Sequence, residues 1–167
     1  FVLAKLEAKS MGPNSAAEKT TLIRRVYFDL IGLPPHPTDV QAFVKDTSPD
    51  AYTKVVDRLL GSPSYGEHWA RYWLDVARYA DSNGFQSDTQ RTMWPYRDWV
   101  VNAFNKDLPY DQFLRLQIAG DQIAKDPENN RDLAALGFLT LGRRFLNSTP
   151  DIIDDRIDVV MRGTQGM

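Results

Sequence analysis

Cysteine is absent from all 167 residues. The chain therefore has no disulfide, no thiolate metal site and no thiols through which haem could be attached. Histidine is scarce, with only His36 and His68. A usual transition-metal site needs several nitrogen or sulfur donors, so no metal site is expected. No stretch approaches the roughly 18 consecutive apolar residues that suggest a membrane span. The first residues are not expected to be a secretory leader. An excess of one charge is missing too: 20 Lys and Arg face 22 Asp and Glu, a net charge of −2. That near-balance argues against nucleic acid as a partner. Strand patterning is also lacking. Phe138–Leu141 is the one run short and apolar enough to compete, and its flanks read as helix.

What is present is helical periodicity, punctuated by proline and glycine. Proline is tolerated in a first helical turn because its missing N–H would be unpaired there. A Ser, Thr or Asp just before it can cap the helix. That pair occurs at Ser48-Pro49, Ser62-Pro63, Asp126-Pro127 and Thr149-Pro150. The spacing predicts helices over Phe1–Met11 and Ala17–Ile31, then a short one from Thr38 with Gln41 in a capping box. Further helices are predicted over Asp50–Leu60, from Tyr65 to about Ala80, and over Pro95–Lys106. Others are predicted from Pro109-Tyr110 to Gly120, over Pro127–Leu141 and over Pro150–Arg162. The connections are short, as between antiparallel helical neighbours. The expected fold is all-α: an irregular orthogonal bundle of helices in a single domain, residues 1–167, without a β-sheet. The chain opens and closes beside helices, so it reads as a fragment of a longer multidomain polypeptide.

The most informative stretch is Tyr65–Phe85. Trp69, Tyr72, Trp73, Val76 and Ala80 recur at steps of three and four, which predicts one apolar face at the centre of the core. Asp81-Ser82-Asn83-Gly84 then ends the helix. Asp81 to Trp94 is the longest stretch without periodicity, and such loops are often functional. Asp75, Arg78, Asp81 and Asn83 lie at its start, Arg97 and Asp98 just beyond its end, and Asp121 at the close of a later helix. Converging in a concavity, these groups could hold a sugar, a peptide or a cation. A salt-bridge network tying helix ends to the loop is the plainer account. Paired carboxylates could also perform acid–base chemistry at the right separation. The ligand-binding candidates are therefore Asp75, Arg78, Asp81, Asn83, Trp94, Arg97 and Asp121, and no catalytic set is assigned. Trp94 and Phe85 are the aromatic residues expected to offer a platform, with Trp69, Trp73 and Trp99 expected in the core. Asp151, Asp154, Asp155 and Asp158 read as a solvated helix face, favoured early in a helix by its dipole.

Several segments together resemble one family. They are Leu22–Pro35 (LIRRVYFDLIGLPP), Val56–Leu60 (VDRLL), Tyr65–Glu67, Trp73–Gly84 (WLDVARYADSNG), Tyr96–Trp99 (YRDW) and Pro109–Phe113 (PYDQF). The chain is identified through them as similar to the planctomycete cytochrome-c-associated domain of unknown function, over nearly its whole length. The resemblance implies a helical domain in large exported proteins, behind an N-terminal cytochrome-c-like domain. It implies a Cys-x-x-Cys-His motif, and with it haem c, in adjacent segments and none within this chain. The family often has His at the position of Tyr72 and Arg at that of His68, so this helix is not expected to supply an axial haem ligand. The family implies no catalytic residues. Its setting among polysaccharide-degradation genes implies polysaccharide as a partner, beside other domains of the same polypeptide. The expected function is a scaffold or interaction module. The alternatives are a carbohydrate-acting enzyme domain using Asp75, Asp81 or Asp121, and part of an electron-transfer protein.

Overall fold

The computed structural model describes residues 1–84, 88–123, 131–142 and 148–166. Eight α-helices are found among them: α1 Val2–Glu7, α2 Lys19–Ile31, α3 Pro37–Lys45, α4 Ala51–Leu60, α5 Pro63–Val76, α6 Trp94–Asn105, α7 Tyr110–Ile123 and α8 Thr149–Gln165. A 3-10 helix, Arg131–Thr140, lies between α7 and α8. The described residues contain no β-strand, only one isolated antiparallel bridge between Ser82 and Gln90. The all-α expectation is met. Asp126-Pro127 and Phe85 lie outside the described residues.

Two apolar clusters form the interior. The smaller gathers Ile23, Val26 and Tyr27 of α2, Phe43 of α3, and Val55 and Leu59 of α4. Its edge is tied by Arg58, which donates to Asp39 at 2.8 Å and to the Tyr27 hydroxyl at 2.8 Å. The larger gathers Ala70 and Ala77 with Tyr96, Trp99 and Val100 of α6, Phe113 of α7, Phe138 of the 3-10 helix and Val159 of α8. Gly32 sets the end of α2 against α5. It ends α2 in the left-handed region at φ 70°, and a side chain there would strike the His68 ring at 2.3 Å. Only glycine meets both demands. By contrast, α1 buries none of its residues.

The inward face of α5 differs from the face the tryptophans predict. Gly66 and Ala70 are its buried residues, with Ala77 just beyond, whereas Trp69 and Tyr72 are 36% and 56% exposed. The cause is the close approach of α6. A Cβ at Gly66 would lie 2.4 Å from the Val101 carbonyl oxygen, so α6 runs against bare backbone. Asn105 fixes the crossing. Its side-chain oxygen accepts from the Gly66 N–H at 2.8 Å, and its amide donates to the Pro63 carbonyl at 3.1 Å. One α6 side chain thereby satisfies an otherwise unpaired N–H in the first turn of α5. Of the α5 rings, only Trp73 turns inward. It lies edge-on to Phe113 at 4.9 Å and stacks on Phe138 at 5.5 Å.

The segment predicted as an α-helix over Pro127–Leu141 is a 3-10 helix where it is described. Its three-residue turn explains the choice. Asp132, Ala135, Phe138 and Leu141 fall on one row. Ala135, Phe138 and Leu141 are buried, and Asp132 accepts from the Trp99 indole at 3.0 Å. Gly137 lets the helix sit on Tyr96, whose Cβ is 2.6 Å from where a side chain would begin. Helix α3 begins one residue before Thr38, and His36 caps it rather than a Thr38–Gln41 box. The Thr38 N–H donates to His36 Nδ1 at 3.4 Å.

One buried polar residue stands in the larger cluster. Gln117 has no exposed surface. Its side-chain oxygen accepts from Trp73 Nε1 at 2.8 Å and from the Tyr96 hydroxyl at 2.7 Å. Its amide donates to the Phe113 carbonyl at 3.1 Å. Burial pushes the Tyr96 hydroxyl well above its ordinary pKa, so it stays a donor. Replacing Gln117 by Leu keeps the volume and leaves the Tyr96 hydroxyl proton without an acceptor, while the Trp73 indole still donates to that oxygen at 3.0 Å. We expect a loss of about 1–3 kcal/mol, read as a lower urea midpoint with an unchanged slope.

Candidate functional site

Helix α5 ends at Val76, about one turn before the end near Ala80 that Asp81-Ser82-Asn83-Gly84 predicts, and the turn that follows scatters the candidate residues rather than pooling them. Arg78 takes φ 63° just past the helix, a conformation that costs a residue with a side chain. That turn aims its guanidinium at α8, where it pairs with Asp155 at 3.0 Å and Asp158 at 3.8 Å. Arg162 pairs with Asp158 from the other side at 3.1 Å. The acidic face of α8 is therefore partly an anchoring face. Asp155 packs against Gly142, where no side chain could be accommodated.

Asp81 belongs to a second group. The Tyr79 hydroxyl donates to it at 2.5 Å. Arg97 stands near enough for its charge to act on both Tyr79 and Asp81, while its guanidinium binds Asp98 at 2.8 Å. Burial first, and the Asp81 carboxylate second, push the Tyr79 hydroxyl up to about 12. Tyr79 is thus a hydrogen-bond donor at neutral pH and not a base.

Asn83 closes the described part of the loop on itself. Its amide donates to the Thr89 hydroxyl at 2.6 Å, and its N–H to the Thr89 carbonyl at 2.9 Å. Arg91 then binds the loop to the end of the 3-10 helix through the Leu141 and Thr140 carbonyls, at 2.8 and 2.5 Å. Asp75 is exposed on α5. Trp94 is 54% exposed at the start of α6. Asp121 is exposed near the end of α7 and accepts from Gln122 at 2.7 Å. The structure brings Asp81 and Arg97 together through Tyr79. No hydrogen bond or ion pair among the described residues joins Asp75, Asp81 and Asp121.

Two clefts open on this framework. One, of about 650 Å³, lies between the Gln90–Met93 segment, the end of the 3-10 helix and α8, with Arg91, Asp155 and Arg156 on its walls. The other, of about 420 Å³, lies between α5, the end of α6 and the start of α7. Tyr65, Phe104, Asp107 and Tyr110 line it, and Trp73 and Phe113 form its base. None of the seven candidate residues lines either cleft. Asp107, Phe104 and Tyr110, which line this cleft, are not among the candidates read from the sequence. The available signal was an acidic residue just before Pro109-Tyr110, among aromatic residues on three helices.

The outer side of α5 adds a third feature. Tyr65, Trp69 and Tyr72 form a continuous row, with ring centroids 6.3 and 5.4 Å apart. His68 meets Trp69 and Tyr72 edge-on at 5.8 and 6.0 Å. Arg71 stands over the Tyr72 ring at 5.9 Å and binds His68 Nδ1 at 3.1 Å. Arginine can only donate, so this nitrogen accepts. His68 is thereby held in a packing role. Covalent haem attachment calls for thiols, and the chain has none, so its residues do not fit haem c. Among the described residues no group of three or more His, Cys, Asp or Glu could hold a metal ion. No helix among them is long and apolar enough to cross a membrane.

Two outcomes follow from the ends of α5. Tyr79 contributes stability that is complete below about pH 10 and is lost as pH rises towards about 12, because the unfolded chain releases its proton first. Tyr79→Phe should therefore flatten the decline of stability with pH in that window, measured by chemical denaturation at stepped pH. Arg78→Ala should cost about 1 kcal/mol. Hydrogen exchange should show it as faster exchange of the α8 amides, with those of α6 unchanged.

Comparison with known proteins agrees with the sequence segments. A family model described as PSCyt2, protein of unknown function (DUF1549), matches residues 1–167. Searches of curated proteins and of solved structures gave no match. With a match over its whole length, the chain belongs to the PSCyt2 family of proteins of unknown function, the planctomycete cytochrome-c-associated domain that its motifs resemble.

Proposed function

We propose that this domain is an interaction and scaffold module within a larger exported polypeptide, and that a neighbouring domain of that polypeptide docks on the outer face of α5. The observation that carries the reading is the Tyr65–Trp69–Tyr72 row. Tryptophan and tyrosine supply large, stiff contact area at low entropic cost, and they are enriched where proteins meet. Here they are left outside although the same helix has an apolar interior to fill. Val76, 37% exposed, extends the row by another turn. The row is also ordered before any partner arrives, because Arg71 and His68 brace Tyr72 and Trp69. A surface fixed in advance loses less freedom on docking. On this reading haem c would reside in adjoining segments, and contact with polysaccharide would fall to the assembled protein.

The test is hydroxyl-radical footprinting of the 167-residue chain and of the longer polypeptide that contains it. Trp69 and Tyr72 should be oxidised several-fold more slowly in the longer polypeptide, while Asp75-side solvent positions on the same helix keep their rate. Equal oxidation of Trp69 in both would overturn the docking reading.

A further inference from the structure

We propose that the cleft between α5, α6 and α7 receives a basic side chain, lysine or arginine, from a partner polypeptide. This rests on the reading of the domain as an interaction module and names the chemistry of what it takes in. Tyr65 belongs both to the outer aromatic row and to the cleft wall, so the two surfaces are continuous.

The walls of the cleft define the guest. Phe104 meets Phe113 at 5.9 Å and 64°, and Phe113 meets Trp73 at 4.9 Å, so the base is built of aromatic rings. Tyr110, 60% exposed, stands at the rim. Ring faces carry negative potential and attract cations, most strongly where water is excluded. Asp107 is the one ionisable acid on the lining, and no basic side chain lines the cleft. An anion would meet only repulsion there. A neutral apolar group would leave the carboxylate unused. A sugar would need several hydrogen-bonding side chains, whereas the lining offers two phenols and one carboxylate. A lysine or arginine uses everything present: its methylene stem lies along Leu108 and Phe104, and its charge meets the rings and the carboxylate.

Asp107 serves the turn that ends α6, where the Leu108 N–H donates to the Ala103 carbonyl at 3.0 Å, and it also lines the cleft. It sits at φ 48° directly after the last turn of α6, where the helix dipole disfavours a negative charge. No described side chain forms an ion pair or hydrogen bond with it. Its acidic neighbour Asp111, by contrast, is matched by Arg115 one turn along α7, at 3.7 Å.

The experiment is an NMR titration of the 167-residue chain with acetyl-Gly-Lys-Gly-amide, its arginine counterpart and the Nε-acetylated lysine peptide. The charged peptides should give saturable shifts confined to residues 104–113 and the Trp73 indole. Acetylation, which removes the charge and keeps the stem, should weaken binding at least tenfold. Asp107→Asn should reduce that difference several-fold, to what the rings alone supply, and Tyr110→Ala should weaken the charged peptides several-fold. Asn tolerates positive φ as Asp does, so the turn should survive and the melting temperature should hold. Equal binding of the acetylated peptide would overturn the proposal in favour of a merely apolar cleft. Shifts from cellobiose without shifts from the lysine or arginine peptide would overturn it in favour of a sugar site, and no shifts at all would also overturn it. If the peptides fail while Trp69 is still protected in the longer polypeptide, the basic anchor alone is rejected. If they bind while Trp69 stays open, the docking face alone is rejected.

Discussion

The larger half of the domain depends on a single buried amide. Gln117 is surrounded by aromatic rings, and leaving its side chain unpaired there would be costly. Its partners come from three helices: Trp73 from α5, Tyr96 from α6, and the backbone of α7 itself. The bonds to Trp73 and Tyr96 fix ring orientations as well as distances. Trp73 meets Phe113 edge-on and stacks on Phe138 with its indole N–H shared between Gln117 and the Tyr96 hydroxyl. Tyr96 can offer a flat side to Gly137 only while its hydroxyl is held below. Apolar contact is tolerant of small rotations, whereas a buried hydrogen bond is not. The polar triad therefore sets the register in which the apolar groups pack.

The second constraint is steric. Gly66 and Ala70 let α6 approach α5 at backbone distance, and Asn105 locks that approach with two hydrogen bonds. A helix that uses its smallest residues for packing must put its largest ones elsewhere. Trp73 finds room in the core, and Trp69 and Tyr72 do not. The exposed aromatic row is thus the direct consequence of a close helix crossing. The same crossing leaves the gap at the end of α6 that becomes the aromatic cleft, floored by Trp73 and Phe113 and edged by Asp107. Packing and surface chemistry come from one geometric decision.

Several charged residues serve as ties between elements. Arg78 reaches α8, Arg58 joins α3 to α2, and Arg91 holds the loop to the 3-10 helix. Such pairs are individually weak at a surface, and the Arg58 tie adds to apolar contact that α2, α3 and α4 already share. Among the described residues Asp107 makes no such tie, as Asp75 also does not, and it is set apart by lining the aromatic cleft.

Much of the fold was legible in the order of residues. Three-and-four periodicity, prolines in first turns and glycines at ends placed nearly every described helix to within a few residues. These signals act over one or two turns, so a linear reading captures them. Sequence alone also excluded thiol chemistry and disulfides, because the required atoms are not there. It could not say which stripe of α5 faces inward, since Trp69-Tyr72 and Gly66-Ala70 are both regular stripes of one helix. That choice was made by α6, whose backbone needed the side without bulk. Nor could it show that Phe138–Leu141 belongs to a 3-10 row, which depends on the distance left by Tyr96 and Trp99. The candidate site divided in the same way. The polar end of α5 was visible as composition, but Arg78, Asp81 and Asn83 turn to three different partners. Asp107 met Tyr65, Phe104 and Tyr110 only through the tertiary fold, because a cleft is made by where helices cross, and crossing angles are not written in any one segment.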